Sequence, residues 1–168
     1  MPVGEGLPDA EQALLALTER MRGAVAHDAA FVGIYSGGAW LAERRRAHVP
    51  GEHPVGFIDV YFYRDDYSRT GLKGGSKRTS LPFDVNGANI VLIDDVLYTG
   101  RSVRAAINEL FDFGRPARIE LAVLVDRGGR ELPVEPTYCG ARLAVASDLS
   151  IVLSRDEGVL ALAVERMS

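Results

Sequence analysis

The sequence predicts an α/β domain with a mostly parallel central sheet flanked by helices. Strand-like and helix-like patterns alternate along the 168 residues. The runs read as strands, Asn89 to Ile93 and Arg118 to Val125 among them, are near-continuously apolar, as in parallel strands covered on both faces. Phe31 to Tyr35 runs into Ser36-Gly37-Gly38 and then into a helical pattern, which is one strand, loop and helix unit.

The elements follow in order. Asp9 and Gln12 read as a capping box, and Leu14, Leu17, Met21 and Val25 then fall at steps of three or four, giving a first helix. Phe31 to Tyr35 is a strand, and Trp40, Leu41 and the run Glu43-Arg44-Arg45-Arg46 fit the helix after it, which Pro50, Gly51 and Pro54 end. Val55 to Tyr63, rich in β-branched and aromatic residues, is a second strand.

Residues 64–80 have no sustained apolar period. Arg64, Arg69, Lys73, Lys77 and Arg78 outnumber Asp65 and Asp66 there, and so long a structureless stretch in a compact domain is expected to be a mobile lid or binding loop. Asn89 to Ile93 is a buried strand, followed by a helix that Ser102 would cap and that Gly114 and Pro116 stop. Arg118 to Val125 is a strand, Asp126 to Pro136 is turn-rich, and Ser150 to Leu153 and Val159 to Val164 read as closing strands.

Composition bounds the function. With 47% hydrophobic and 25% charged residues, the chain is expected to be one domain, residues 1–168. Cys139 is the only cysteine and has no partner for an intramolecular disulfide. No secretory pattern opens the chain, so a cytoplasmic location is expected. No apolar run nears the roughly 18–20 residues that cross a bilayer, and no membrane partner is expected. The formal net charge of −4 does not call for DNA.

The chemistry concentrates in Ile90-Val91-Leu92-Ile93-Asp94-Asp95-Val96-Leu97-Tyr98-Thr99-Gly100-Arg101-Ser102. Two acids close a buried strand, and a short loop leads to a helix amino terminus, where unpaired N–H groups favour a bound anion. Gly100 lets backbone approach a phosphate, Thr99 and Ser102 can donate to it, and Asp94 and Asp95 can accept from vicinal hydroxyls or help hold a divalent cation. A ribose-phosphate fits all three. The acids could also serve a Walker-B or phospho-acceptor role, or cap the helix. The chain has no G-x-x-x-x-G-K-[ST] and no G-x-G-x-x-G segment to accompany a nucleoside triphosphate or dinucleotide site.

This segment resembles the PRPP-binding signature of type I phosphoribosyltransferases. With Tyr63-Arg64-Asp65-Asp66, Phe113-Gly114-Arg115-Pro116 and the run from Leu121 to Pro133, it is similar to the PyrR family, pyrimidine-operon attenuation regulators that are also uracil phosphoribosyltransferases. The resemblance runs from about Phe31 to the last strand. It implies a phosphoribosyltransferase fold with a small hood and a mobile loop, and the reaction uracil plus PRPP giving UMP and pyrophosphate, with Mg²⁺ carried by PRPP rather than by a protein metal site.

By that resemblance Asp94 and Asp95 hold the ribose hydroxyls and act in catalysis, and Val96, Leu97, Tyr98, Thr99, Gly100, Arg101 and Ser102 cradle the 5′-phosphate. Ser36, Gly37 and Gly38 match the pyrophosphate loop, although relatives commonly carry Thr-Arg-Gly, so that Gly37 stands where an arginine is expected. Lys77 would cover the pyrophosphate, or else be a solvated loop lysine. Val125, Asp126, Arg127 and Ile151 would line the uracil pocket, unless Arg127 only pairs with Asp126 or Glu131.

The family's second activity is UMP-dependent binding of pyrimidine-leader RNA. Thr18 and Arg142 match what it needs, Arg22 replaces a histidine, and Val145-Ala146-Ser147-Asp148-Leu149 lacks the lysine of regulating relatives. The resemblance further implies a homodimer or homotetramer.

Overall fold

The computed structural model describes residues 6–46, 48–60 and 79–167. Helix α1 (Ala10–Met21) begins where expected, with the Asp9 carboxylate accepting the Gln12 N–H at 2.9 Å. Strand β1 (Ala30–Ile34) leads into α2 (Gly37–Arg46) and then β2 (Val55–Ile58). After Ser80, which bridges Phe57 through two 2.8 Å backbone bonds, come β3 (Asn89–Leu97), α3 (Arg101–Phe113), β4 (Arg118–Asp126) and β5 (Tyr138–Arg142). Strands β6 (Leu149–Asp156) and β7 (Val159–Arg166) close the chain.

Strands β1 to β5 form one parallel sheet in the order β2-β1-β3-β4-β5. Alternate residues of β3 serve opposite faces. Val91 and Ile93 join Leu14, Leu17 and Leu41 of α1 and α2, while Ile90 and Leu92 join Val103, Ala106 and Leu110 of α3. A strand with a core on each side needs apolar residues at successive positions, and that explains the continuous runs in the sequence. The closing strands do not extend this sheet. They form a separate antiparallel hairpin whose Ile151, Leu153 and Leu160 bury into the α1 side, and its tight turn places Glu157 and Gly158 at positive φ.

Four expectations are corrected. The Ser36-Gly37-Gly38 loop is shorter than expected, because Gly37 and Gly38 already form the first turn of α2. Strand β3 runs through both acids to Leu97, because Val96 and Leu97 pair with Val125 and Asp126; the loop between β3 and α3, expected to bind phosphate over residues 96–102, is therefore residues 98–100. The residue that caps α3 is Gly100, at φ 95°, and Ser102 lies inside the helix. Strand β5 was not expected at all. Its Tyr-Cys-Gly-Ala-Arg sequence has no β-branched residue, and glycine is there because a Cβ at Gly140 would lie 2.6 Å from the Ala13 carbonyl of α1.

Candidate active site

The sheet order creates the site. From β1 the chain crosses to β2 on one side, and from β3 it crosses to β4 on the other, with α2 and α3 on opposite faces. The carboxyl ends of β1 and β3 thus flank a topological switch point, where open α/β sheets leave a crevice for ligands. The amino termini of α2 and α3 open at this edge, and Asp94 and Asp95 lie near the carboxyl end of β3.

The acids are held by backbone. Asp94 is buried, and its carboxylate accepts the Asp95 N–H at 2.9 Å, while the Asp95 carboxylate accepts the Val96 N–H at 2.8 Å. Across the crevice, α2 packs without side chains: Gly37 lies directly against the Asp95 carboxylate and Gly38 against the Ile93 carbonyl. The Tyr35–Ser36 peptide ahead of it is cis.

The loop of residues 98–100 is braced from below by residues 127–134. The Thr99 carbonyl accepts N–H groups of Glu131 and Leu132 at 3.0 and 3.1 Å, Arg101 pairs with Glu131 at 2.8 Å, and Thr99 Oγ1 accepts the Arg101 N–H at 3.2 Å. Gly100 completes the turn in a left-handed conformation that glycine adopts without strain. Leu97 is fully buried, so it can meet a ligand only through backbone, and its carbonyl accepts the Arg127 N–H.

The expected nucleobase residues divide. Val125 and Ile151 come together in one core cluster. Asp126 is buried and receives 2.7 Å bonds from both Arg130 and Arg142, plus the Gly128 N–H at 3.0 Å. Burial pushes the Asp126 carboxyl up, but the Arg130 hydrogen bond, the Gly128 N–H and the two cations outweigh it and hold it below the usual carboxylate range.

Arg127 pairs with neither Asp126 nor Glu131 as envisaged. It donates to the Leu149 and Ala146 carbonyls at 2.7 and 3.0 Å and stacks over Tyr98, and its buried Nε has no partner. Sequence reasoning missed Arg130, which bonds Asp126 and the carbonyls of Tyr98 and Val134. The four-residue step from Asp126 was the available signal. A cavity of about 380 Å³ opens beside this cluster, lined by Asp126, Arg127, Arg130, Glu135 and Arg142 among others.

Lys77, Asp65, Asp66 and all but the last two residues of the expected lid lie outside the described residues. Among the described residues no group of three or more potential metal-ligating side chains comes together. Two adjacent carboxylates at a phosphate loop do fit Mg²⁺, which is commonly held by one or two carboxylates together with substrate phosphates. Among the described residues no helix is long and apolar enough to cross a membrane.

Residues 9–142 match the model of the phosphoribosyl transferase domain family. A bifunctional protein PyrR of Ralstonia nicotianae is 53% identical over 148 residues, covering 88% of this chain and 84% of that protein. One of Pseudomonas entomophila is 46% identical over 136 residues, covering 81% and 77%. This chain belongs to the PyrR family. The fold extends across the wider group: a hypoxanthine-guanine phosphoribosyltransferase structure from Bacillus anthracis superposes with a TM-score of 0.70 at 16% identity, over 95% of this chain and 98% of that one.

Within this PyrR-family fold, a groove of about 680 Å³ runs between α1 and α2, lined by Thr18, Arg22, Arg44, Arg45, Arg46 and His48 among others. Several of its cations already have internal partners. Arg22 pairs with Glu19 at 3.3 Å and Arg44 with Glu11 at 2.8 Å, while buried Arg45 donates to the Thr18 hydroxyl. Thr18 is itself buried and donates to the Leu14 carbonyl.

Proposed function

We propose that this chain is a uracil phosphoribosyltransferase of pyrimidine salvage, converting uracil and PRPP to UMP and pyrophosphate. The observation that carries the reading is the Asp94–Asp95 pair at the switch point, followed along the chain by a short loop and a glycine-capped helix amino terminus. The Thr99 and Ser102 hydroxyls and the first N–H groups of α3 bind the 5′-phosphate, and Asp94 and Asp95 hold the ribose hydroxyls.

In the reaction the bond from the anomeric carbon to pyrophosphate breaks, a bond to uracil N1 forms, and the N1 proton is lost. Positive charge develops on the ribose as the bond breaks, so fixed carboxylates stabilise the transition state more than the ground state. Mg²⁺ would be carried by PRPP, with Asp94 and Asp95 the residues placed to help hold it, and when bound it would supply charge neutralisation at the pyrophosphate. The Val125-Asp126-Arg127 segment and Ile151 position the base, and the α2 amino terminus faces the diphosphate. Lys77 covers it from the loop of residues 64–80, and the enzyme works in the cytoplasm. The relatives' name supports uracil as the acceptor. UMP formation in a panel of uracil, hypoxanthine and orotate tests the reading, and turnover with either other base but not uracil would overturn it.

A second reading is UMP-dependent binding of pyrimidine-leader RNA. It is favoured by the word bifunctional in the relatives' name and by the cationic groove between α1 and α2. Binding measured at two salt concentrations, with and without UMP, tests it, because phosphate contacts weaken steeply as salt rises.

A further inference from the structure

We infer that Arg155 is a positioning residue for the nucleobase: stacked on Trp40 of α2, it holds the β6–β7 hairpin so that Ile151 stands at the base pocket. The inference rests on the proposed role of Ile151 as a wall for uracil. The hairpin needs holding, because it is a two-stranded ribbon outside the main sheet, and such ribbons are marginally stable alone. Side chains alternate along β6, so Ile151, Leu153 and Arg155 share one face. Ile151 and Leu153 bury into the core, whereas Arg155, about 13 Å along the strand from Ile151, is exposed.

The exposed end is tied to α2. The Arg155 guanidinium carbon lies 4.8 Å from the centre of the Trp40 ring. Arg155 pairs across the hairpin with Leu160, whose N–H donates to Glu11 of α1 at 3.0 Å, and the same Glu11 oxygen accepts Arg44 at 2.8 Å. Trp40 and Arg44 are one turn apart on one face of α2. One rung of the hairpin thus reaches one face of α2 by two routes, directly through Trp40 and through Glu11. Helix α2 is a firm anchor, because glycines let it lie on the backbones of β1 and β3. A Cβ on Gly33 would stand 2.6 Å from Ala39 Cα, and one on Gly38 would stand 3.2 Å from Asp94 Cα. At the opposite end of the hairpin Arg127 donates to the Leu149 carbonyl at 2.7 Å, two residues before Ile151. Ile151 therefore lies between two points of attachment, and releasing Arg155 lets the wall shift relative to Val125, its neighbour in the core.

The test compares Arg155→Ala, Arg155→Lys, Trp40→Leu, the double variant Arg155→Ala/Trp40→Leu and Ile151→Ala, each below the onset of its own unfolding; Ile151→Val serves if Ile151→Ala does not fold. The KM values for uracil and PRPP are measured, with the Kd values for UMP and for ribose 5-phosphate, which lacks the base. Arg155→Ala is expected to raise uracil KM and UMP Kd roughly two- to fivefold, the change that an exposed cation–π contact supports. PRPP KM and ribose 5-phosphate Kd should stay at wild-type values. Arg155→Lys, still a cation over the ring, should recover most of the loss, and Arg155→Ala should add nothing to Trp40→Leu. Equal rises for ligands with and without the base overturn the inference. So do a full further loss in the double variant, or wild-type uracil KM and UMP Kd in Arg155→Ala beside raised values in the Ile151 variant. Wild-type values in the Ile151 variant would instead remove the wall itself, and the premise with it.

Discussion

The Arg127 guanidinium carbon lies 3.9 Å from the centre of the Tyr98 ring, so the loop after β4 is stacked on the loop after β3. The same side chain reaches the Leu149 and Ala146 carbonyls at the entry to the β6–β7 hairpin. One buried cation ties three segments.

Arg127→Lys should therefore destabilise the protein although charge is conserved, because an ammonium cannot both stack and fork to two carbonyls. The expected loss is about 1.5–3 kcal/mol, the range for hydrogen bonds to charged groups. Thermal unfolding checks it, and an unchanged midpoint would show that the stack contributes nothing.

Replacing Asp94 or Asp95 by asparagine should leave the fold nearly intact, since an amide oxygen can still accept the following N–H. Turnover should fall about 10²–10³-fold with the loss of transition-state charge stabilisation. Steady-state kinetics beside a melting curve separates the two effects.

Asp126 gives a pH signature. Its folded carboxyl titrates below the ordinary value of about 3.9, so its pairing with Arg130 and Arg142 stabilises the protein fully above that value. The contribution disappears as pH falls through the lower, folded value. The stability gap between wild type and Asp126→Asn should be widest near neutrality and shrink below about pH 4. Urea unfolding at several pH values measures it, and a gap independent of pH would mean that the carboxylate charge is not what stabilises this corner.

Thr18→Val should cost about 3 kcal/mol, because it removes the acceptor of buried Arg45, whose Nε already lacks a partner. Thr18→Ser, which keeps the hydroxyl, should recover most of that loss. If both variants melt like the wild type, Thr18 has no structural role and its match to RNA-binding relatives regains weight.

Much of this was legible in the sequence, for identifiable reasons. Asp9 and Gln12 announced α1 because a capping box is local, and the apolar runs announced β3 and β4 because both faces of those strands are buried. The acids marked the site because charged residues ending such a strand are costly without a use. What was hidden depended on distant partners. Strand β5 exists because Gly140 accepts the backbone of α1, and Arg130 matters because it reaches Tyr98, 32 residues earlier. The crowding of Gly37 by Asp95 joins residues on two different strand-to-helix turns, and no local pattern reports it.

The seating of α1 on β5 also bears on how the chain matures. Arg20 donates to the carbonyls of Cys139 and Gly140, and Glu11 accepts the Leu160 N–H across 149 residues of sequence. Helix α1 thus has part of its docking surface more than a hundred residues further along the chain. Such distant pairings delay folding relative to local ones. Its apolar stripe of Leu14, Leu17 and Met21 is not fully covered until those later residues are in place.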